Sequence, residues 1–277
     1  MSMHDEDNIM RDSQSTPRIE APVLEARNIG LSYADKPVLQ GIDFALNQGD
    51  FVAVLGDSGC GKSSLLQLLA GFLRPTSGEV LLDGTPMHEP NAHVGVVFQK
   101  PPLYPWLTLF DNVAFGLRLQ KLPAAVCSEQ ANRFLRAVGL AESASLYPYQ
   151  CSGGMCQKAF LARTLCCNPR VILADEPFSA LDAFSKASLQ KLLRELWFEF
   201  KSTIFLITHD IDEALKLATR ILLLKPFSAH RSNIVQNVAV DFTSRFENDD
   251  MERDRDYMDI KQSLLHAIHS RDLEYRI

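Results

Sequence analysis

The residues 52–64, VAVLGDSGCGKSS, hold the arrangement with the clearest chemistry in this chain. An apolar run leads into G-x-x-x-x-G-K-S, and Leu65, Leu66, Leu68 and Leu69 then continue at helical spacing. Glycines let a chain curl until successive backbone N–H groups face one point, with a helix N-terminus behind them. Such a strand–loop–helix context marks a phosphate cradle for a nucleoside triphosphate. Gly56, Asp57, Ser58, Gly59, Cys60, Gly61, Lys62, Ser63 and Ser64 form it, with Lys62 reaching the β- and γ-phosphates and the Ser63 hydroxyl ligating Mg²⁺. A second group lies downstream in VILADEP, residues 171–177. It ends an apolar strand on two acids, Asp175 to hold the Mg²⁺ shell and Glu176 to activate or position the attacking water.

The positioning elements follow from the hydrophobic pattern. Residues 23–34 and 42–46 alternate as half-buried antiparallel strands do. Continuous apolar runs at 51–55, 94–98, 171–174, 203–207 and 220–224 read as buried strands, and 79–84 as a further strand ending in a turn. Helical patterns occupy 62–71, most of 108–147, 153–168, 183–200 and 211–218. Buried strands alternating with helices predict a parallel sheet covered on both faces. The fold class expected is α/β, with a mainly parallel core sheet, an antiparallel β edge subdomain and a helical subdomain at about 100–165. After residue 226 the pattern weakens, and 244–259 is a mixed-charge stretch leading to a last helix at about 257–270.

Composition narrows the function classes. With 277 residues, 46% hydrophobic and 22% charged, the chain is an ordinary globular one. Its net charge of −6 argues against a general nucleic-acid binder. No apolar run reaches the roughly 20 residues that a membrane-spanning helix needs. The polar, acidic start lacks an export-signal core, and residues 1–22 read as a disordered lead-in. Six cysteines without C-x-x-C pairing fit small buried side chains rather than a disulfide framework or a metal site.

Over residues 23–225 the chain resembles the nucleotide-binding subunits of ATP-binding-cassette (ABC) transporters. The most specific match is CSGGMCQK at 151–158, similar to that family's LSGGQ signature at a helix start. The resemblance assigns Ser152, Gly153 and Gly154 to the γ-phosphate held by the opposite subunit, and Tyr33 to stacking on adenine. It likewise assigns Gln99 to Mg²⁺ and the attacking water, Asp182 to the dimer interface, and His209 to the γ-phosphate. The catalytic set it implies is Glu176, His209 and Gln99, with Ser63, Gln99 and Asp175 around Mg²⁺.

Within the family, YPYQ before the signature, Met155, DEPFSALDA and THDIDEALKLA resemble importers of the nitrate, sulfonate and taurine type. The domains implied are an ATPase unit over 23–242 and a charged C-terminal segment with a helix over 243–277. The implied partners are a second copy of the chain in an ATP sandwich, transmembrane permease subunits, and a periplasmic or surface solute-binding protein. The location implied is peripheral, on the cytoplasmic face of the inner membrane. The proline- and aromatic-rich 100–108 suits a groove that receives a helix from the membrane subunit, or else a rigid surface loop. Two other readings stand beside the importer: a soluble ABC ATPase not coupled to transport, and a non-catalytic regulatory subunit.

Three departures matter. Cys151 replaces the usual Leu and Cys156 a common Arg, the first predicting a modest loss of packing. Asp57 puts a negative charge in the phosphate loop, which costs little if it points to solvent. Cys60 sits at a helix N-terminus, a place that lowers a thiol's pKa, although small-residue filler is the role expected of it. Since Lys62, Ser63, Gln99, Asp175, Glu176 and His209 are all present, an active ATPase is expected.

Overall fold

The computed structural model describes residues 21–34, 36–227, 232–240 and 255–269. The chain opens with two long strands, β1 (Leu24–Tyr33) and β2 (Lys36–Leu46), then β3 (Phe51–Leu55) and helix α1 (Lys62–Leu69). Strands β4 (Ser77–Leu82), β5 (Thr85–Pro86) and β6 (Val94–Val97) follow, then α2 (Leu109–Leu119), α3 (Ala124–Ala137) and α4 (Gly153–Cys166). The rest alternates: β7 (Val171–Asp175), α5 (Ala183–Phe200), β8 (Thr203–Ile207), α6 (Ile211–Leu217), β9 (Arg220–Leu224), β10 (Ile234–Ala239) and α7 (Arg255–His269).

Two sheets result. One is antiparallel in the order β2-β1-β4-β5; the other runs β10-β9-β3-β8-β7-β6 and is parallel except for β10, which pairs antiparallel with β9. The apolar runs are continuous because both faces of the second sheet are covered. Phe51, Ala53, Leu55, Ile172, Ala174, Ile204 and Leu206 face the core formed with α2–α5 and α7. Val52, Val54, Val171, Leu173, Phe205 and Ile207 face α1 and the antiparallel sheet. Phe44 stacks on Phe205 at 5.6 Å across that second core.

Buried Asn233 ties the sheets together. Its amide donates to Val38 O (3.1 Å) and Lys225 O (2.9 Å), and its carbonyl oxygen accepts from Gln40 N (2.7 Å). A buried amide with this many partners fixes both chains that it touches.

The helical region 108–147 is two helices and one short 3₁₀ turn (Ala141–Ser143) rather than one long stretch. Lys121 in the left-handed region (φ 58°) and Pro123 at the start of α3 break it. Strand β2 starts six residues earlier than its pattern suggested, since Val38 and Leu39 lie outside the clean alternation. Strand β10 was not legible: as an edge strand it alternates half-buried with exposed positions and has little apolar signal. The last helix spans Arg255–His269, while the lead-in 1–20 and most of the charged 244–259 stretch lie outside the described residues.

Candidate nucleotide-binding and hydrolysis site

Parallel strands bring every candidate except Tyr33, Asp182 and the signature turn to one edge. The phosphate loop leaves the C-terminal end of β3, His209 follows β8, Asp175 and Glu176 end β7, and Gln99 follows β6. Those four strands are consecutive neighbours, so the carboxyl edge of the sheet lines a single crevice.

The loop's shape comes from its glycines. Gly59 and Gly61 adopt φ of 82° and 101°, which L side chains rarely reach. At Gly56, an added Cβ would lie 2.3 Å from Leu224 O, so β9 backbone packs directly on the loop's entry. Lys62 is buried, and its ammonium donates to Gly56 O (2.7 Å) and Asp57 O (2.8 Å). Asp57, Ser58 and Gly59 are exposed, so the Asp57 carboxylate faces solvent, the low-cost orientation. Cys60 is buried, and burial pushes its thiol pKa up despite the nearby Lys62 charge. This overturns the lowered pKa expected at a helix N-terminus: desolvation outweighs the dipole, leaving Cys60 as filler beneath the loop.

Asp175 and the Ser63 hydroxyl face each other across the crevice, and Ser63 favours the charged carboxylate. Burial, followed by the Glu176 charge, raises its carboxyl above the ordinary range, with Ser63 and Lys62 pulling the other way. A hydroxyl and a half-buried carboxyl that resists carrying unneutralised charge are the hard oxygen donors that suit Mg²⁺.

Glu176 holds φ 44°, in the left-handed region, a strained setting for a non-glycine residue. Its N–H donates to Ile207 O (3.0 Å), and its carbonyl accepts from the Ser179 hydroxyl (2.9 Å). The turn swings its carboxylate toward β8, where Oε1 lies 3.3 Å from His209 Nδ1. Glu176, Phe178, Ser179, Thr208 and His209 line a small cavity there.

Gln99 is exposed, two residues beyond β6. Tyr33 ends β1 and is half exposed, on the sheet whose Leu39 and Val38 pack against Gly61. The signature turn stands apart. Ser152 caps α4 by accepting from Met155 N (3.2 Å). Gly154 faces Ser185 at the start of α5, where a depression lined by Ser152, Gly154, Phe184 and Ser185 includes no residue of the phosphate loop. The Asp182 carboxylate caps α5 by accepting from Phe184 N and Ser185 N (both 3.0 Å), and the Ser185 hydroxyl holds its pKa below the usual carboxylate range. Beside it, Phe184 is 89% exposed.

Several supporting residues escaped the sequence reading. Buried Gln157 reaches from α4 to Phe98 O (3.4 Å), just before Gln99. Buried Asn112 accepts from Tyr104 N (2.8 Å) and donates to Tyr104 O, Leu107 O and Thr108 O, shaping the segment that carries Trp106. Lys186, Thr208 and Glu213 surround the base of His209. For Gln157 and Asn112 the available signal was a polar residue on an otherwise apolar helix face.

A phosphate loop between β3 and α1, with an acid pair ending a neighbouring parallel strand, defines a phosphate-loop nucleotide hydrolase fold. The chain belongs to the ABC transporter family, whose model matches residues 39–179, and it is an ATP-binding and hydrolysing member of it. It is 42% identical over 248 residues to the taurine import ATP-binding protein TauB of Chromobacterium violaceum, across 87% of this chain and 94% of the relative. It is 44% identical over 226 residues to TauB of Pseudomonas entomophila, across 81% and 86% of the two chains. Among solved structures, it superposes on cbiO1 of Clostridium perfringens, part of the ABC transporter complex cbiONQ. The TM-score is 0.69 at 28% identity, covering 76% of this chain and 88% of the other. The ATP-binding cassette MJ0796, in a dimeric post-hydrolysis state bound to ADP and Pi, gives 0.66 at 27% identity, covering 78% and 98%.

Proposed function

We propose that this chain is the energy-coupling ATPase of a membrane importer for a small sulfonate such as taurine, or a solute of the related nitrate and sulfonate class. The observation that carries the reading is the pairing of a complete hydrolysis edge with a signature turn that faces away from it. Lys62 Nζ and the 56–64 amides hold the phosphates, and Tyr33 stacks on the adenine. Ser63, Asp175 and Gln99 would hold Mg²⁺, which when bound would neutralise charge developing on the phosphate oxygens. Glu176 takes or orients the proton of the attacking water, and His209, aligned by Glu176, contacts the γ-phosphate.

The Ser152–Gly154 turn belongs to the site of a second copy, so two chains would enclose two ATP molecules, with Asp182 near the shared interface. Binding glues the pair together and hydrolysis loosens it. The ATPase unit is read as 23–242, with its helical subdomain at about 100–165.

The partner that takes up this motion is a transmembrane permease. Trp106, 71% exposed on the segment braced by Asn112, offers it an apolar anchor. No helix among the described residues is long and apolar enough to cross a membrane, in keeping with peripheral attachment at the cytoplasmic face of the inner membrane. A solute-binding protein would deliver the cargo from the other side, and no nucleic acid takes part.

Affinity purification of the tagged chain from detergent-solubilised membranes tests the reading. The expected product is a complex with an integral membrane protein whose ATPase rate rises with taurine-loaded binding protein. Recovery of the chain solely as a soluble ATPase would favour the uncoupled alternative.

A further inference from the structure

His209 is largely exposed, so its placement depends on the backbone on either side of it. Upstream, Thr208 N donates to Val54 O (3.1 Å), while the Thr208 hydroxyl donates to Glu213 and accepts from Asp210 N (3.0 Å). Downstream, Asp210 caps α6 by accepting from Asp212 N (2.9 Å) and Glu213 N (3.2 Å). The first turn of α6 therefore carries three carboxylates: Asp210, Asp212 and Glu213.

Three like charges in one turn repel unless cations are placed among them. Lys186 of α5 supplies one, 2.8 Å from Asp210 and 2.6 Å from Glu213. The other comes from the far end of the chain. On α7, Lys261 Nζ and the Tyr257 hydroxyl both donate to Asp212 Oδ1, each at 2.6 Å. Burial and the Asp210 charge work to raise the Asp212 carboxyl, yet Lys261 and Tyr257 outweigh them and hold it below its ordinary range. Tyr257 and Leu264 are fully buried, so α7 is seated in the core and does not merely touch the surface. The hydrolysis mechanism uses none of these α7 residues.

We propose that α7 is a positioning element for His209. By neutralising and gripping Asp212, it holds the first turn of α6 in register, and so sets how the imidazole meets Glu176 and the γ-phosphate. Turnover then requires docked α7, whereas nucleotide binding at the phosphate loop does not. The inference rests on the reading of His209 as the γ-phosphate contact. Misplacing a reacting group by about 1 Å can cost up to roughly 100-fold in rate.

The test compares the full chain with the Tyr257→Phe/Lys261→Met double variant, measuring phosphate release, MgATP affinity and the His209 imidazole NMR signals. Lys261→Arg, which keeps the charge, serves as the conservative variant. Expected are a fall in kcat of about tenfold, an essentially unchanged ATP KM, shifted His209 resonances and near-normal turnover for Lys261→Arg. Unchanged kcat in the double variant would overturn the proposal. So would parallel loss of kcat and ATP affinity with general unfolding, or a Lys261→Arg variant as impaired as the double one. His209→Ala separates the two layers: if it is inactive while the double variant is normal, only the role of α7 falls. If His209→Ala turns over normally, the reading of His209 itself is wrong.

Discussion

Glu176 Oε1 and His209 Nδ1 lie 3.3 Å apart, although 33 positions separate them in sequence. The contact arises because β7 and β8 are parallel neighbours in register, Asp175 opposite Ile207, and because Glu176 turns left-handed one residue later. In the proposed mechanism this contact aligns the imidazole with the carboxylate that activates water, so each residue is expected to depend on the other.

Glu176→Gln preserves shape and removes the proposed base. Turnover should fall by roughly 100- to 10,000-fold, while MgATP binding persists. Phosphate release and equilibrium nucleotide binding, measured on the same preparation, check this; residual turnover near wild type would assign the base elsewhere.

Asp175 gives a stability prediction with a definite sign. Its folded pKa is raised, so the folded state holds its proton more tightly than the unfolded chain does. The stability cost of ionising it is therefore absent below the unfolded value of about 3.9 and fully present above the raised folded value. Without Mg²⁺, Asp175→Asn should melt higher than wild type at neutral pH, and the advantage should shrink as pH falls through the carboxylate range. Adding Mg²⁺ should stabilise wild type and leave the Asn variant unmoved, as thermal melts would record.

Gly61→Ala meets two obstacles at once. The residue sits at φ 101°, and its new methyl would lie 2.7 Å from Leu39 Cδ2. The backbone term alone is worth about 1–3 kcal/mol. A chemical denaturation curve should shift by at least that range, with nucleotide affinity falling alongside. Gly59→Ala, where no atom approaches within 4 Å, should show only the backbone part.

The thiols should be sluggish. Burial pushes Cys166 up to about 12 and also raises Cys60, Cys151, Cys156 and Cys167. At pH 8 an alkylating reagent should reach Cys151, Cys156 and Cys167 first, since they are only half buried, and spare Cys60, Cys127 and Cys166 in the folded protein. Mass spectrometry of the labelled peptides reads this out. Rapid modification of Cys60 would contradict its place beneath the loop.

Much of this site could be read before any coordinates, and for physical reasons. Backbone cradles need glycines at set intervals, and buried parallel strands need unbroken apolar runs, so Gly56, Gly61, Asp175 and His209 stood at recognisable junctions. Helix α5 matched its pattern from Ala183 to Phe200 because an N-capping Asp182 and an amphipathic face mark it. Residues acting through partners distant in sequence were invisible. Nothing near Tyr257 names Asp212, and nothing near Asn233 announces Val38 and Gln40. Cys60 is the buried filler its size suggested, but the direction of its pKa was not legible, because a sequence shows a helix start and not how deeply the sulfur is buried.

Asn233 has a mechanical corollary. By clasping β2 to the β9–β10 edge, it makes the antiparallel sheet and the core sheet one stiff block. Tyr33 and the phosphate loop ride on that block together, so the base and phosphate contacts proposed for them would keep a constant spacing. In the proposed cycle a motion driven by hydrolysis would have to pass through other contacts, of which Phe98–Gln157 is one. It joins the strand edge that carries Gln99 to α4, whose start Ser152 caps, and the Phe98–Phe160 stack lies beside it.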